Sequence, residues 1–237
     1  MKNTIAVFFP AYNDEATVEL MVERFREVLP KFASDYEIFI VNDGSRDRTG
    51  EVADNMARKY GEVHAIHHAK NRGYGGALRT GFAACKATGK DFIFYTDGDA
   101  QYDVREFERL WPHIRDYDIV NGFFTKRADS FDRILFGELY HLFVNLFFRV
   151  NMHNVDADFR LFRSGVFDKV NLTADSGVIC VEMMSKVRRA GFTVKEVPVS
   201  HHPRVSGKSQ FFRIKKILKT FRDLANLWYG MFVAKKD

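Results

Sequence analysis

The stretch FIFYTDGDAQYD, residues 92–103, joins an apolar and aromatic run to three aspartates, Asp97, Asp99 and Asp103. The run FIFYT predicts a buried strand, and the glycine and aspartates after it predict a turn. Carboxylates gathered at the end of a buried strand repel one another and lose hydration. Either a cation offsets their charge, or the segment is only a solvated acidic turn. The residues at the ends of the other strands help to decide between these two interpretations.

Short apolar runs alternate with helical patterns along the first half of the chain. The predicted strands are IAVFF (5–9), EIFIV (37–41), VHAIHH (63–68), FIFYT (92–96) and DIVNGF (118–123). Their alternation with helices predicts an α/β fold with a mostly parallel central sheet covered by helices on both faces. Ligands of such sheets bind beyond the carboxyl ends of the strands. PAYND, NDGSRD and TDGDAQ each come directly after a strand, so we expect these three segments to face one crevice.

The segments between the strands show the helical spacing of apolar residues. The first helix is expected to begin near Asn13 or Asp14, with one of these side chains as its cap. The second is expected over residues 49–59, and NRGYGG is expected to open the third. Beyond about residue 122 the pattern changes to longer amphipathic segments and loops, which we interpret as a second half of the same domain.

Length and composition limit the class of protein. The chain has 237 residues, 46% hydrophobic content and a net charge of +5, enough for one α/β domain with a sizeable core. The basic excess fits an anionic lipid, a phosphorylated substrate or nucleic acid. The two cysteines lack metal-ligand spacing. No apolar run approaches the ~18 residues of a spanning helix, and the N-terminus does not have the pattern of a signal peptide. We therefore expect a protein that is soluble or sits on a surface, and since nothing suggests a disulfide framework, a reducing cytosol is the default.

The spacing of Asp97, Asp99 and Gln101 is compatible with a metal site. In extended backbone, residues separated by two positions face the same side, so two carboxylates and an amide oxygen can meet one cation. Mg²⁺ and Mn²⁺ prefer oxygen ligands and often share their shell with substrate phosphates. Asp103 is instead expected to cap the helix that comes after it.

Two other segments are expected at the same crevice. Asp43 ends a strand in VNDGSRDRT. It can accept hydrogen bonds from a base or ribose, or belong to the turn that caps the next helix. Pro10, Ala11 and Tyr12 in PAYNDE can wrap a nucleobase, and the same segment can also be an ordinary helix cap.

Three glycines, Gly73, Gly75 and Gly76, precede a predicted helix in KNRGYGGALRTGF. Helix N-termini attract anions, so a phosphate-binding loop is one interpretation. The spacing is not that of the dinucleotide fingerprint. Close packing against another segment is the other interpretation, and the sequence leaves both open.

The ordered set PAYNDE, VNDGSRDRT, NRGYGGALRTGF, YTDGDAQYD, DADFRLFR and EVPVSHHPRVSGKSQF resembles the family 2 glycosyltransferases. It is most similar to their dolichyl- and polyprenyl-phosphate sugar synthase branch, and the resemblance covers nearly the whole chain. It implies the GT-A fold, a nucleotide-sugar donor, a divalent metal and inversion at the anomeric carbon.

The resemblance also implies roles for individual residues. Asp43 resembles the nucleoside-binding aspartate, and Asp97 and Asp99 resemble the aspartates of the D-x-D signature. Gln101 matches the glutamine found after that signature in the lipid-phosphate branch, and Arg204 resembles the arginine of a mobile loop over the donor diphosphate. The residues expected to bind the donor are Pro10, Ala11, Tyr12, Asn13, Glu15, Asp43, Arg72, Gly73, Asp97 and Lys208.

The acceptor determines whether the reaction needs a base. A lipid monophosphate is already an anion, whereas a sugar hydroxyl requires a carboxylate to take its proton. Asp156 and Asp158 in NVDADFRLF are the candidates for that base, and Asp158 stands where the family usually has a small residue and glycine. Asp156 can alternatively orient a cation or a sugar hydroxyl, or form an ion pair with Arg160 or Arg163.

A basic segment, TKRADSFDR, supplies Lys126, Arg127 and Arg133. The family places arginines in this region to hold the acceptor phosphate, and paired cations suit phosphate well. A solvated basic loop is the alternative.

Two later segments have apolar faces wider than a surface helix needs. In RILFGELYHLFVNLFFRV (133–150), Glu138, His141, Asn145 and Arg149 form one narrow polar stripe. FFRIKKILKTFRDLANLWYGMF (211–232) combines an apolar face with many cations, which fits an anionic membrane surface, and packing on the domain is the alternative. The apolar face of this segment consists of Ile214, Ile217, Leu218, Phe221, Leu224, Ala225 and Trp228.

The whole sequence predicts one GT-A glycosyltransferase domain over residues 1–237. Residues 1–121 are expected to form the nucleotide-sugar-binding half, 122–210 the acceptor-side half and 211–237 a basic amphipathic C-terminal helix. The expected reaction is transfer of a hexose from a UDP- or GDP-sugar to a polyprenyl or dolichyl phosphate, with Mg²⁺ or Mn²⁺. The protein is expected at the inner face of a membrane, bound peripherally.

Three other functions are less favoured or remain as alternatives. Within the same fold, a glycan or other hydroxyl can be the acceptor. A nucleotidyltransferase would carry a glycine-rich phosphate loop after the first strand, which FFPAYNDE lacks. A nucleic-acid binder is disfavoured because the clustered aspartates would repel a phosphate backbone.

Overall fold

Seven strands form a single sheet in the computed structural model, which describes residues 3–124, 131–203 and 214–234. Their order is β3-β2-β1-β4-β6-β5-β7, and only the two pairs that include β6 are antiparallel. The predicted mostly parallel sheet is confirmed. The strands are β1 (Thr4–Ala11), β2 (Asp35–Asn42), β3 (Val63–His67), β4 (Phe92–Thr96), β5 (Ile119–Phe123), β6 (Phe159–Arg163) and β7 (Val194–Pro198).

Helices cover both faces of this sheet. The helices are α1 (Val18–Val28), α2 (Thr49–Lys59), α3 (Gly73–Ala87), α4 (Phe107–Leu110), α5 (Phe131–Phe148), α6 (Ile179–Arg189) and α7 (Ile214–Trp228). Buried residues of α1, α2 and α4 form a core on one face, and those of α3, α5, α6 and α7 form a core on the other. The expected three-layer α/β architecture is therefore confirmed.

Alternation along β4 shows how the sequence builds these two cores. Phe94 faces the first core, where its ring centroid lies 6.0 Å from that of Phe25 and 5.0 Å from that of Phe107. Its neighbour Tyr95 faces the second core, where its ring lies 5.1 Å from that of Phe82. Successive strand residues point to opposite faces, so a run that is apolar throughout belongs to a sheet buried on both sides.

The start of α1 differs from the prediction. The helix begins at Val18, not near Asn13 or Asp14. Asn13 has a left-handed φ of 58°, and the amides of Thr17 and Val18 donate to the carbonyl of Asp14 in a separate turn. The Asp14 carboxylate accepts the Tyr12 N–H at 2.8 Å. Polar residues before a helix fit a cap and a turn equally well, and here they build the turn.

The antiparallel strand β6 was not predicted, and it matters for the site. Thr96 at the end of β4 pairs with Phe159 at the start of β6. The start of an antiparallel strand lies at the same sheet edge as the carboxyl ends of its parallel neighbours. This topology brings the segment containing Asp156 and Asp158 next to the segment containing Asp97 and Asp99.

The outer surfaces of α5 and α7 retain large apolar side chains. Leu142, Leu146 and Phe147 of α5 are 65%, 68% and 42% exposed, and Phe221 of α7 is 45% exposed. Leu224 of α7 is fully buried, so the expected apolar face of this helix is divided between the core and the surface. Among the described residues, no helix is long and apolar enough to cross a membrane.

Candidate active site

Asp43 is held at the carboxyl end of β2 by a set of polar contacts. It is 3% exposed. Its Oδ1 accepts from His68 Nδ1 at 2.6 Å and from the backbone N–H of Arg72 at 2.8 Å. The other ring nitrogen of His68 lies 2.9 Å from Thr80 Oγ1. A carboxylate only accepts hydrogen bonds, so His68 carries a proton on Nδ1 and fixes the rotamer of Asp43.

The loops after β1 and β2 brace each other through main-chain and side-chain bonds. Asn13 accepts the Arg46 N–H at 2.9 Å, and Glu15 accepts the Arg48 N–H at 3.0 Å. Asp14 N–H in turn donates to Thr49 Oγ1 at 2.8 Å. Asn13 and Glu15 thus stabilise the two loops that border the crevice. In the strand before them, Pro10 and Ala11 are buried, and Tyr12 is 37% exposed beside them.

Asp97 and Asp99 lie in the turn after β4. The Tyr74 hydroxyl donates to Asp97 Oδ1 at 2.7 Å, and burial raises the pKa of Tyr74 well above its usual value. Asp99 is 8% exposed and its Oδ1 accepts the Gln101 N–H at 3.1 Å. Ala100 has a φ of 58°. The chain therefore turns here, and the expected extended backbone from Asp97 to Gln101 is wrong.

Glycine at position 98 explains the turn. A Cβ on Gly98 would lie 2.3 Å from the carbonyl oxygen of Pro10, and the Gly98 carbonyl accepts the Thr17 hydroxyl at 2.7 Å. Only a residue without a side chain lets the β4 turn approach β1 this closely. The Gln101 side chain contacts the segment after β7, since its Nε2 donates to the His202 carbonyl at 2.9 Å. Its expected role as a metal ligand remains a prediction.

The oxygen atoms of Asp97 and Asp99 match the ligands that Mg²⁺ and Mn²⁺ prefer. Within the described ranges, no three His, Cys, Asp or Glu side chains gather into a complete metal cage. Two carboxylates fit a cation that takes its remaining ligands from water and substrate phosphates.

The glycine-rich start of α3 is explained by close packing. Added Cβ atoms would lie 2.5 Å from the carbonyl oxygen of Asp175 at Gly73, and 2.3 Å from that of Ala174 at Gly75. The Gly75 N–H donates to the Asp175 carbonyl at 3.0 Å. Packing against another segment is therefore confirmed for Gly73 and Gly75, and the phosphate-binding interpretation remains a prediction.

Asp158 belongs to a buried network and not to the open crevice. It is 5% exposed and accepts from the Tyr95 hydroxyl at 2.7 Å and from Cys180 Sγ at 3.3 Å. Arg160, which is fully buried, lies 3.7 Å from Asp158 and donates to Asn121 Oδ1 at 2.6 Å. Burial raises the pKa of the Cys180 thiol. Asp158 therefore serves as a counter-charge in the core.

Asp156 has a different environment. It is half-buried and accepts from the Tyr140 hydroxyl at 3.3 Å. The ion-pair alternative for this segment is formed by Asp158 with Arg160, while Arg163 donates to the carbonyls of Ile114 and Arg115. Asp156 is thus the carboxylate of this segment that reaches partly into solvent.

A cavity of about 820 Å³ adjoins the site. It lies between the start of α3, the loop before α6 and the inner side of α7. Tyr74 connects it to Asp97, and the polar residues on its other walls include Asp175, Ser176, Asp223 and Asn226.

The sequence model described as Glycosyl transferase family 2 matches residues 6–170. The chain belongs to this family. The match runs from within β1 to beyond β6, and therefore includes the strand ends that carry Asp43, Asp97 and Asp99.

The chain is also similar in sequence to individual curated glycosyltransferases. The chain is 28% identical to glycosyltransferase AglD of Haloferax volcanii over 97% of its own length, but it spans only 38% of that protein. It is 25% identical to undecaprenyl-phosphate mannosyltransferase of Micrococcus luteus, covering 87% of this chain and 86% of the relative. It is 28% identical to polyprenol monophosphomannose synthase of Mycolicibacterium smegmatis, covering 86% and 79%.

Solved structures show the GT-A fold for this family 2 glycosyltransferase. Glucosyl-3-phosphoglycerate synthase from Mycobacterium tuberculosis, in complex with Mn²⁺, UDP and phosphoglyceric acid, matches 95% of the chain with a TM-score of 0.72 and 16% identity. The same enzyme with Mg²⁺ and UDP matches with a TM-score of 0.68. At this identity the likeness concerns the fold alone.

The positions of several expected site residues are not described by the structure. Lys126, Arg127, Arg204 and Lys208 lie outside the described residues, and so does the side chain of Arg133. Their expected roles remain predictions.

Sequence reasoning did not single out two residues that contact the site, His68 and Tyr74, or Glu182, which holds a loop beside it. His68 comes after a strand just as Asp43 does, and this position is the signal that could have found it. Tyr74 is the one large residue within the glycine run. Glu182, whose carboxylate holds the loop of residues 173–178, has no local signal because that loop precedes it in a different element.

Proposed function

We propose that this family 2 glycosyltransferase transfers a hexose from a UDP- or GDP-sugar to a polyprenyl phosphate, with inversion and with Mg²⁺ or Mn²⁺. The observation that carries the proposal is that Asp43, after β2, and Asp97 and Asp99, after β4, lie at the same edge of the sheet. The activities named for the Micrococcus and Mycolicibacterium relatives support the acceptor.

The donor is proposed to bind along residues 1–121. Asp43 accepts from the base or ribose, and its fixed rotamer supports this role because a preorganised acceptor binds without reordering. Pro10, Ala11 and Tyr12 flank the base. Arg72 and Gly73, at the start of α3, lie beside the diphosphate.

The leaving nucleoside diphosphate develops negative charge that the site must offset. Asp97 and Asp99 would hold the cation, which when bound acts as a Lewis acid on the diphosphate. Arg204 and Lys208 would add positive charge from the segment after β7.

The acceptor is proposed to bind in the half formed by residues 122–210. A lipid phosphate is an anion and attacks without a base, with Lys126, Arg127 and Arg133 as its partners. Asp158 is unsuited to a base because it compensates Arg160 in the core. Asp156, which is half-buried, would orient a sugar hydroxyl.

The enzyme is proposed to bind the inner face of a membrane peripherally. Aromatic side chains of α5 and α7 adjoin each other in one partly exposed patch. The ring of the half-buried Phe143 lies 6.1 Å from that of the exposed Phe221, and the ring of the exposed Phe147 lies 6.4 Å from that of the half-buried Trp228. Arg222 of α7 is 70% exposed beside this patch. Apolar side chains next to cations suit binding to the surface of an anionic lipid bilayer. The helix α7 belongs to the segment 211–237, which the sequence predicts to be the membrane-binding amphipathic helix.

Transfer assays test the reaction. The enzyme is incubated with Mg²⁺ or Mn²⁺, a panel of UDP- and GDP-sugars and a short polyprenyl phosphate, beside Asp99→Ala and the control Asp103→Ala. We expect metal-dependent transfer to the lipid by the wild type and the control, and loss of transfer in Asp99→Ala. Absence of transfer to lipid phosphate from every donor contradicts the acceptor, and full activity of Asp99→Ala contradicts the metal site.

Sedimentation with vesicles tests the membrane proposal. Charge reversal at Lys215, Lys216 and Lys219 should weaken binding to anionic vesicles. A matched reversal at three lysines on other surfaces, Lys31, Lys59 and Lys169, should leave binding unchanged. Equal sedimentation of the wild type and the α7 variant would favour a helix that only packs on the domain.

A further inference from the structure

Glu182 is a carboxylate buried completely in the first turn of α6. It accepts the Thr173 N–H at 3.0 Å, the Thr173 hydroxyl at 2.6 Å and the Ala174 N–H at 2.9 Å. Lys186 Nζ lies 3.1 Å from Oε1. Burying a charge is costly unless it is well bonded. Apart from the ion pair with Lys186 in the same helix, these bonds go to the loop of residues 173–178, which we name the clamp loop.

The clamp loop packs closely against the start of α3. The carbonyls of Ala174 and Asp175 leave no room for a Cβ at Gly75 or Gly73, with distances of 2.3 and 2.5 Å. The Arg79 guanidinium of α3 donates to Asp175 Oδ1 at 2.7 Å and to the Thr173 carbonyl at 3.2 Å. Where Glu182 holds the loop, the loop therefore holds the backbone of residues 73–75.

Tyr74 lies between these two glycines and reaches the site. Its hydroxyl donates to Asp97 Oδ1 at 2.7 Å. A hydrogen bond of this kind selects one orientation of the carboxylate, and outer partners that orient a metal ligand affect metal affinity. An unbroken chain of contacts thus runs from Glu182 through the clamp loop and Tyr74 to Asp97.

We propose that Glu182 is a positioning residue for Asp97, acting through the clamp loop and Tyr74. The inference rests on the proposed function in one respect, the use of Asp97 as a ligand of the divalent cation. Glu182 itself contacts neither Asp97 nor the crevice, and it would set the affinity for the cation by fixing the phenol that orients Asp97.

Binding of Mn²⁺ provides the test, measured by the electron paramagnetic resonance signal of free Mn²⁺ in the presence of UDP or GDP. Glu182→Gln keeps the size of the side chain but turns an amide N–H₂ toward the Thr173 and Ala174 donors. Tyr74→Phe removes only the last hydroxyl. Each change should weaken Mn²⁺ binding about 10-fold, the lower end of the effect of outer-shell partners. The double variant should bind Mn²⁺ as tightly as the single variant with the lower affinity, because both changes interrupt the same series of contacts between Glu182 and Asp97.

Ser185→Ala is the matched control. Its hydroxyl, also buried in α6, donates to the Phe148 carbonyl at 2.9 Å and not to the clamp loop. This variant should lose some thermal stability and bind Mn²⁺ as the wild type does. If Glu182→Gln does not fold, Thr173→Val, which removes one donor to Glu182, takes its place with a smaller effect in the same direction.

The outcomes separate this inference from the proposed function. Wild-type Mn²⁺ affinity in Glu182→Gln, or additive losses in the double variant, would overturn the positioning role. If the wild type with nucleotide fails to bind Mn²⁺, or Asp99→Ala binds it equally well, the metal site itself is wrong. Weakened binding in Glu182→Gln and Tyr74→Phe but not in Ser185→Ala supports the inference.

Discussion

The chain contains two Asp-x-Asp pairs at the same sheet edge, and the structure uses them differently. Asp97 and Asp99 come after β4, whereas Asp156 and Asp158 precede β6, and the pairing of Thr96 with Phe159 brings the two segments together. In the first pair, Asp97 accepts from a phenol and Asp99 from a backbone N–H. In the second pair, Asp158 lies beside a fully buried guanidinium.

Spacing alone therefore does not define the role of a carboxylate pair. Asp158 points into the second core, where Tyr95, Cys180 and Arg160 surround it. Asp99 sits in a tight turn between two strand ends. The difference comes from the direction of the strand that each pair adjoins and from the side chains of the neighbouring strand.

The largest effect is expected from breaking the core member of the second pair. Asp158→Asn leaves the Arg160 charge buried without its counter-charge, so the free energy of unfolding should fall by about 3–5 kcal/mol. Urea denaturation measures this loss. The double variant Asp158→Asn/Arg160→Met should recover much of it, since removing both charges is often neutral. A double variant no more stable than the single one would contradict the ion-pair account.

The first pair is expected to matter for activity and not for folding. Asp97→Asn keeps the shape of the side chain and removes the charge proposed to hold the cation. Transfer should fall about 100-fold or more, as for loss of a main electrostatic contact in a site, with the unfolding midpoint nearly unchanged. Asp103→Asn, in the same segment, is the control and should retain activity. Equal losses of activity in Asp97→Asn and Asp103→Asn would contradict the assignment of Asp97 as a metal ligand and of Asp103 as a helix cap.

A substitution of Asp156, the more exposed member of the second pair, distinguishes between the two possible acceptors, a lipid phosphate and a hydroxyl group. If the acceptor is a lipid phosphate, Asp156→Asn should reduce kcat by less than about 10-fold, because the attacking group is already ionised. A hydroxyl acceptor needs a base, and its loss would reduce kcat by about 10²–10⁴. Steady-state kinetics with a polyprenyl phosphate and with a glycan distinguishes the two cases.

The sequence predicted the parts of this molecule that depend on local pattern. The strand FIFYT, the helix over residues 49–59 and the cap at Asp103 occur as expected. Each rests on periodicity or on a side chain bonding to its own neighbours, which a short window contains. The family resemblance added the GT-A fold.

What could not be predicted depends on contacts between distant segments. The antiparallel direction of β6 is decided by its pairing and not by its own residues. The turn at Gly98 exists because Pro10 approaches it, and the glycines at 73 and 75 exist because residues 174 and 175 do. His68 and Glu182 have partners in other elements, Asp43 and Thr173, which no spacing reveals.

The smallest expected effect comes from Asp103, the third aspartate of the segment 92–103. Its side chain accepts the Arg105 N–H at 3.0 Å, and the Arg105 guanidinium lowers the pKa of this carboxyl below its ordinary value. Asp103→Ala should reduce the free energy of unfolding by about 1 kcal/mol at neutral pH, as for loss of a cap. A lowered pKa in the folded state means that the contribution is complete above the unfolded pKa, near ~3.9, and is lost as pH falls through the folded pKa. The stability difference between wild type and variant should therefore persist from neutral pH to about pH 4.5 and shrink below about pH 4. Urea denaturation at a series of pH values measures it, and a difference that grows on acidification would contradict the cap.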